Sequence, residues 1–231
     1  MSPAIDLSNP GRTIRVGVIL LGGVTEILDV GPVDLLHSIS HAFVDNLPDA
    51  HFPAELKAEA LSTEFHWVSE AGRSRASELT ANISMNATDS FETCPPLDIV
   101  LIGANFGHEA TEAELAFIRK SYEACSAFIS VCGGVAAPLQ AGILEGRTAT
   151  APRFMLDQMR RQAPGTDWVE RRWVRDGKLW TSGTLLNGLD LMSAFIQATW
   201  PSGEGTLISR MLRMSAWPDR DPEYKDVPWK I

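Results

Sequence analysis

What is scarce in this 231-residue chain narrows the reading first. It has three cysteines, Cys94, Cys125 and Cys132, with no CxxC pair and no metal-ligand spacing. That excludes a disulfide framework and leaves free thiols in a reducing compartment, mostly buried as small apolar residues. No metal and no cofactor are expected. Positive charge is also short: 20 Lys+Arg stand against 29 Asp+Glu, a net charge of −9. Nucleic-acid binders need clustered positive charge, so none is expected as a partner. The one basic cluster, Arg160, Arg161, Arg171, Arg172 and Arg175, lies among Asp157, Asp167, Glu170 and Asp176 and reads as a solvated face. No run approaches the ~20 apolar residues needed to cross a bilayer. The polar stretch Met1–Arg12 lacks the charged head and apolar middle of a signal peptide. The expectation is a soluble cytoplasmic protein with no membrane partner.

What is present is ordinary globular material: 45% hydrophobic and 21% charged residues, with no internal repeat and no Pro/Ser-rich linker. At ~100–200 residues per domain, one large domain is expected. The layout reads as a flexible lead over 1–12, a domain over 13–200 and a tail over 201–231. The tryptophans Trp200, Trp217 and Trp229 argue that the tail packs on the domain or on a dimer partner.

Ile14–Leu21 and Leu97–Ile102 are short, continuous aliphatic runs ended by glycine, and Phe128–Val131 is a third apolar run. Such runs predict strands buried on both faces of a parallel sheet. Glu64–Ser69 predicts another strand, Ile83–Ala87 a weak one, and Trp168–Arg175 with Lys178–Ser182 a pair around the Asp176-Gly177 turn signal. Helices are expected from Pro32, over Thr111–Ala124 with a Thr111/Glu114 capping box, and over Gly133–Ala141, Arg153–Arg161 and Leu185–Thr199. Asp45–Ala60 reads as a long connection or a short extra helix. Alternating strands and helices give an α/β class with a mostly parallel sheet.

The chemistry concentrates at Ser130-Val131-Cys132-Gly133-Gly134-Val135-Ala136. A cysteine directly after a buried strand and before a helix has the build of a nucleophile elbow, a sharp turn that lifts one side chain above the sheet edge. Small neighbours permit the turn. The first N–H groups of the following helix would favour a thiolate and could hold an oxyanion, so a lowered Cys132 pKa is expected. Cys94 sits before Pro95-Pro96, and Cys125 ends a helix, where the dipole disfavours a thiolate.

The segments VGVILLGGVTEILDVGPVDLL, PPLDIVLIGANFG, FISVCGGVAAPLQAGILEGRTAT and WVRDGKLWTSGTLLNGLDLMSAFI together resemble the DJ-1/PfpI superfamily, in its ThiJ-like and isocyanide hydratase-like branch. The resemblance runs from about Ile14 to Thr199. It implies a flavodoxin-like three-layer α/β sandwich, a homodimer and a reactive cysteine, here Cys132. It also implies a carboxylate four residues before the loop proline. Counting back from Pro32, that place holds Leu28, flanked by Glu26 and Asp29, and Asp29-Val30-Gly31-Pro32 resembles the family's acidic pattern with one residue deleted. Both acids stay open as candidates. The family's oxyanion loop corresponds to Gly103-Ala104-Asn105-Phe106-Gly107. There the Ala104 or Asn105 N–H would face the site, together with those of Gly133 and Gly134. His108 reads as a surface residue of that loop. Gly133 stands where hydratase-like members carry threonine, and Thr150-Ala151-Pro152 stands where many members carry a histidine.

A small-molecule hydratase or lyase acting on an electrophilic substrate is the leading reading, with Cys132 as nucleophile and Glu26 or Asp29 moving a proton. Two alternatives are an enzyme acting on 2-oxoaldehydes, as a glyoxalase does, and a non-catalytic, redox-sensing stress protein whose elbow thiol oxidises reversibly.

Overall fold

A computed structural model describes residues 4–227. In chain order its strands are β1 (Ile14–Ile19), β2 (Val24–Thr25), β3 (Thr63–Ser69), β4 (Ala76–Leu79), β5 (Ile83–Asn86), β6 (Asp89–Ser90), β7 (Ile99–Ile102), β8 (Asn105–Phe106), β9 (Ala127–Val131), β10 (Thr148–Ala149), β11 (Asp167–Trp168), β12 (Trp173–Asp176) and β13 (Leu179–Ser182). Its helices are α1 (Ile27–Val30), α2 (Val33–Ser38), α3 (His41–Val44), α4 (Ala54–Lys57), α5 (Glu112–Ala124), α6 (Ala136–Gln140), α7 (Leu156–Gln162), α8 (Asn187–Thr199) and α9 (Leu207–Met214).

The main sheet has the order β12-β13-β9-β7-β1-β3-β6 and is parallel except for β12, which pairs antiparallel with β13. Alternation along the central strands explains their unbroken apolar runs. Val16, Val18, Ile99, Leu101, Ile129 and Val131 enter one core with α2, α8 and α9. Ile19, Val100, Ile102 and Phe128 enter a second core with α5 and α7. Successive strand residues point to opposite faces, so a strand covered on both sides must be apolar throughout. The result is three layers, helix–sheet–helix.

The connection leaving β1 runs to the first core and that leaving β7 to the second, although the two strands are neighbours in the sheet. Connections that part to opposite faces open a crevice at the carboxyl ends of the strands, where open α/β sheets bind ligands. A four-stranded sheet, β5-β4-β2-β8, lies beside this edge.

Several expectations need correction. Residues 4–12, expected as a flexible lead, are pinned: Leu7 is buried, its carbonyl accepts the Trp200 Nε1–H at 2.7 Å, and Arg12 forms two 2.8 Å bonds to Asp98. The stretch Trp168–Arg175 is not one strand but two short ones, β11 and β12. The helix expected over Gly133–Ala141 begins as a 3-10 turn, Cys132–Val135, before the short α6. Arg172 does not belong to a solvated face; it is 1% exposed. The tail contributes Leu207, Ile208 and Met211 to the first core, and Trp217 Nε1–H donates to Leu189 O at 2.9 Å. Trp229 lies outside the described residues. No helix among the described residues is long and apolar enough to cross a membrane.

Candidate active site at the elbow cysteine

Strand β9 delivers Cys132 to the crevice in a left-handed backbone conformation, φ +59°. A side chain in that region is strained and persists only where its surroundings over-determine it. The turn is pressed onto the end of β7: a Cβ on Gly134 would lie 2.7 Å from both Gly103 C and Ile102 O, which are backbone atoms that cannot step aside. Gly134 therefore acts by packing. Gly103 plays the same part toward the first loop, since a Cβ there would lie 2.8 Å from Asp29 Cβ. Glycine at 103 is what lets Asp29 approach.

Of the two candidate acids, the structure brings Asp29 to the sulfur. Asp29 is completely buried within α1. Its Oδ2 accepts the Ala104 N–H at 2.9 Å, while Oδ1 has no hydrogen-bond partner among the described residues. Burial pushes its pKa up to about 7, aided by the charge of Glu26 and opposed by the Ala104 N–H and the Cys132 thiol. Glu26 is turned to structural work. It is the N-cap of α1, accepting the Leu28 N–H at 3.4 Å and the Thr80 hydroxyl at 3.0 Å. Leu28, at the position counted back from Pro32, is exposed.

The Cys132 thiol is pushed up to about 11, by burial first and then by the charge of Asp29; the Leu185 and Gly133 N–H groups pull the other way. The expected lowering is thus reversed. The turn after the sulfur is a single 3-10 turn feeding a five-residue helix, whose end is a weak counterweight to desolvation. The resting pair is a thiol beside a carboxyl group that titrates near neutrality, so the proton sits on sulfur until a reaction draws it off.

The oxyanion loop also departs from expectation. The Ala104 N–H is occupied by Asp29, and Asn105 Nδ2 donates to Gly22 O at 3.0 Å. The donors that face the sulfur are Gly133 and Leu185. Leu185 was not among the sequence candidates. It sits at φ +41° just after β13, whose register sets Ser182 beside Val131 and so carries the following turn to the Cys132 edge. A glycine directly after an apolar strand end, Gly183, was the available signal. His108 is not a surface residue: Nε2 lies 2.7 Å from Oε2 of Glu114, itself 2% exposed. His66 pairs with Asp89 at 2.9 Å. Cys94 and Cys125 are each pushed up to about 12, burial being the largest cause.

Comparison with known proteins places these features. A DJ-1/PfpI family model matches residues 15–198. An isonitrile hydratase of Pseudomonas putida is 26% identical over 217 residues, covering 93% of this chain and 84% of that protein. A ThiJ/PfpI family protein from Pseudomonas syringae superposes with a TM-score of 0.70 at 19% identity, covering 94% of this chain and 80% of that one. Drosophila melanogaster DJ-1beta superposes with a TM-score of 0.67 at 13% identity, covering 90% and 100%.

Proposed function

Because this chain belongs to the DJ-1/PfpI family, whose fold carries many chemistries, we propose from its site that it is a cofactor-independent hydratase or lyase acting on a small electrophilic substrate, an isocyanide. The observation that carries this reading is the pairing of the elbow thiol with one fully buried carboxyl group whose pKa lies near 7. A general acid–base works best when its pKa is near the operating pH, because it then both accepts and returns a proton readily. The 26% identity to an isonitrile hydratase supports the substrate class.

The step balances as follows. The Cys132 sulfur attacks the terminal carbon of R–N≡C as its proton passes to the Asp29 carboxylate. Asp29 returns that proton to the same carbon, giving a thioimidate, Cys–S–CH=N–R. Water then adds to the carbon, Asp29 shuttles a proton from the water to nitrogen, and the C–S bond breaks. The products are R–NH–CHO and the free thiol, the sum of isocyanide and water. The N–H groups of Gly133 and Leu185 face the sulfur, where negative charge gathers as the thiol gives up its proton. The 2-oxoaldehyde reading lacks a comparable support, since His108 is committed to Glu114 and His66 to Asp89. A homodimer is part of the proposal. Val24 and Phe106 stand opposite each other across β2 and β8, exposed, and offer an apolar surface for a second copy.

The test is formamide formation from aryl and alkyl isocyanides, followed by chromatography. Wild type should turn them over, and Cys132→Ala should lose at least ~10³-fold, the scale of losing a nucleophile. Asp29→Asn should fall by ~10²-fold or more, the scale of a general acid–base. Absence of turnover by wild type, or equal rates in wild type and Cys132→Ala, overturns the reading.

A further inference from the structure

The segment after α9 returns to the carboxyl edge of the sheet. Ser193 Oγ donates to Pro218 O at 2.7 Å, and Arg220 holds Asp190 through two bonds of 3.0 and 2.6 Å, so the start of the segment is stitched to α8. Further on, the buried Arg172 takes hold. Its Nη1 donates to the carbonyls of Asp221 at 2.6 Å and Glu223 at 2.8 Å, its Nη2 pairs with Asp226, and its backbone N–H donates to Pro222 O at 2.7 Å. A buried guanidinium is costly to desolvate and is kept where hydrogen bonds satisfy it. Here those bonds fix one residue, Tyr224.

The Tyr224 ring lies under the guanidinium groups of Arg153 at 4.5 Å and Arg172 at 5.0 Å. Its hydroxyl donates to Asn187 Oδ1 at 2.7 Å. A Cβ on Gly183 would lie 2.5 Å from that hydroxyl oxygen and 2.8 Å from Asn187 Oδ1. Gly183 to Asn187 is the turn that holds Leu185 in its left-handed conformation, one step beyond the Ser182–Val131 register and beside Cys132. Asn187 is itself buried. A left-handed leucine is unfavourable alone and needs such support.

We propose that Tyr224 is a positioning residue for the elbow cysteine: through Asn187 it fixes the 183–187 turn so that the Leu185 N–H is held toward the sulfur. The proposal rests on Cys132 as the reacting thiol. Tyr224 touches no reacting atom in it; the tail acts on the site through the turn.

The test compares wild type, Tyr224→Phe, Asn187→Ala and the double variant by iodoacetamide alkylation, with each cysteine followed separately by peptide mass spectrometry. Tyr224→Phe keeps the ring between the arginines and removes only the hydroxyl. At pH 8 it should slow alkylation of Cys132 by about threefold to tenfold, the range of one ordinary hydrogen bond. Cys94 and Cys125 should react as in wild type. The double variant should be no slower than the slower single one, because both break the same bond. Hydrogen exchange should rise in the peptide covering 183–187. An unchanged Cys132 rate with unchanged exchange overturns the proposal, as does equal change at all three cysteines. Should Asn187→Ala fail to fold, Tyr224→Phe with its exchange readout decides alone. If wild type turns over no isocyanide, the hydratase reading falls while the alkylation and exchange arms still judge the positioning.

Discussion

The two ends of β9 carry two buried cysteines with opposite meanings. Cys125 precedes the strand and Cys132 follows it, and burial pushes both thiols up, to about 12 and about 11. At the amino end everything is closed. Cys125 caps α5 at an ordinary φ of −76°, its thiol reaches Tyr122 O at 3.5 Å, and Lys178 Nζ satisfies the Tyr122, Glu123 and Cys125 carbonyls. A cation at a helix C-terminus is the expected partner for those orphan carbonyls. At the carboxyl end the account is left open: a strained backbone, a buried carboxylate oxygen without a partner, and a second strained residue facing the sulfur. Burial alone therefore does not mark a site. Unsatisfied groups and strain at the carboxyl edge of a parallel sheet do.

The sharpest way to break the carboxyl end is to thicken it. Gly134→Ala places a methyl group against the backbone of Ile102 and Gly103. Overpacking against atoms that cannot rotate away belongs at the upper end of its range, so a loss of about 3 kcal/mol is expected. Urea unfolding measures it, and a midpoint close to wild type would show that the elbow is not held against β7.

Much of this contrast was legible beforehand. The apolar runs of β1, β7 and β9 told of strands covered on both faces, and a cysteine between such a strand and Gly133-Gly134 told of the elbow. The choice between Glu26 and Asp29 was not legible, because it depends on Gly103, far along the chain, leaving room for Asp29. The direction of the Cys132 shift was misjudged because a helix end was credited over desolvation, and the helix proved to be one 3-10 turn and a short α6. Arg172 and Tyr224 escaped for a related reason. Local charge pattern describes a face, whereas the partners that bury Arg172 come from 221–226.

Next in size is the pH dependence that Asp29 imposes. Its pKa is raised from 3.8 in the unfolded chain to about 7 in the fold. Below pH ~4 the carboxyl is protonated in both states and contributes no penalty. As pH rises toward 7 the unfolded chain gives up the proton first, so stability is lost across that window and levels off above it. At 1.36 kcal/mol per pKa unit the loss is about 2–4 kcal/mol. Asp29→Asn, which can still accept the Ala104 N–H, should therefore gain on wild type between pH 4 and 7 and hold that gain at pH 8. A Cys125→Ala variant should follow the wild-type pH curve in parallel, since the amino end has nothing that titrates in this way. Parallel curves for Asp29→Asn and wild type would remove Asp29 from its buried, ionisable role.

The smallest effect tests the comparison most directly, because the two ends should respond with opposite signs to the same pair of substitutions. Cys132 sits at φ +59° and Cys125 at φ −76°. Glycine reaches the left-handed region without a Cβ clash, whereas alanine incurs about 1 kcal/mol there. Cys132→Gly should thus be more stable than Cys132→Ala by up to ~1 kcal/mol, after part is lost to the extra freedom of glycine in the unfolded chain. At Cys125 the backbone is one that any residue adopts, so only the entropic cost remains. Cys125→Gly should there be less stable than Cys125→Ala by ~0.5–1 kcal/mol. Thermal unfolding of the four variants reads both signs. The same sign at both positions would mean that the elbow backbone relaxes once its sulfur is gone, and that the strain belongs to the side chain's contacts rather than to the turn.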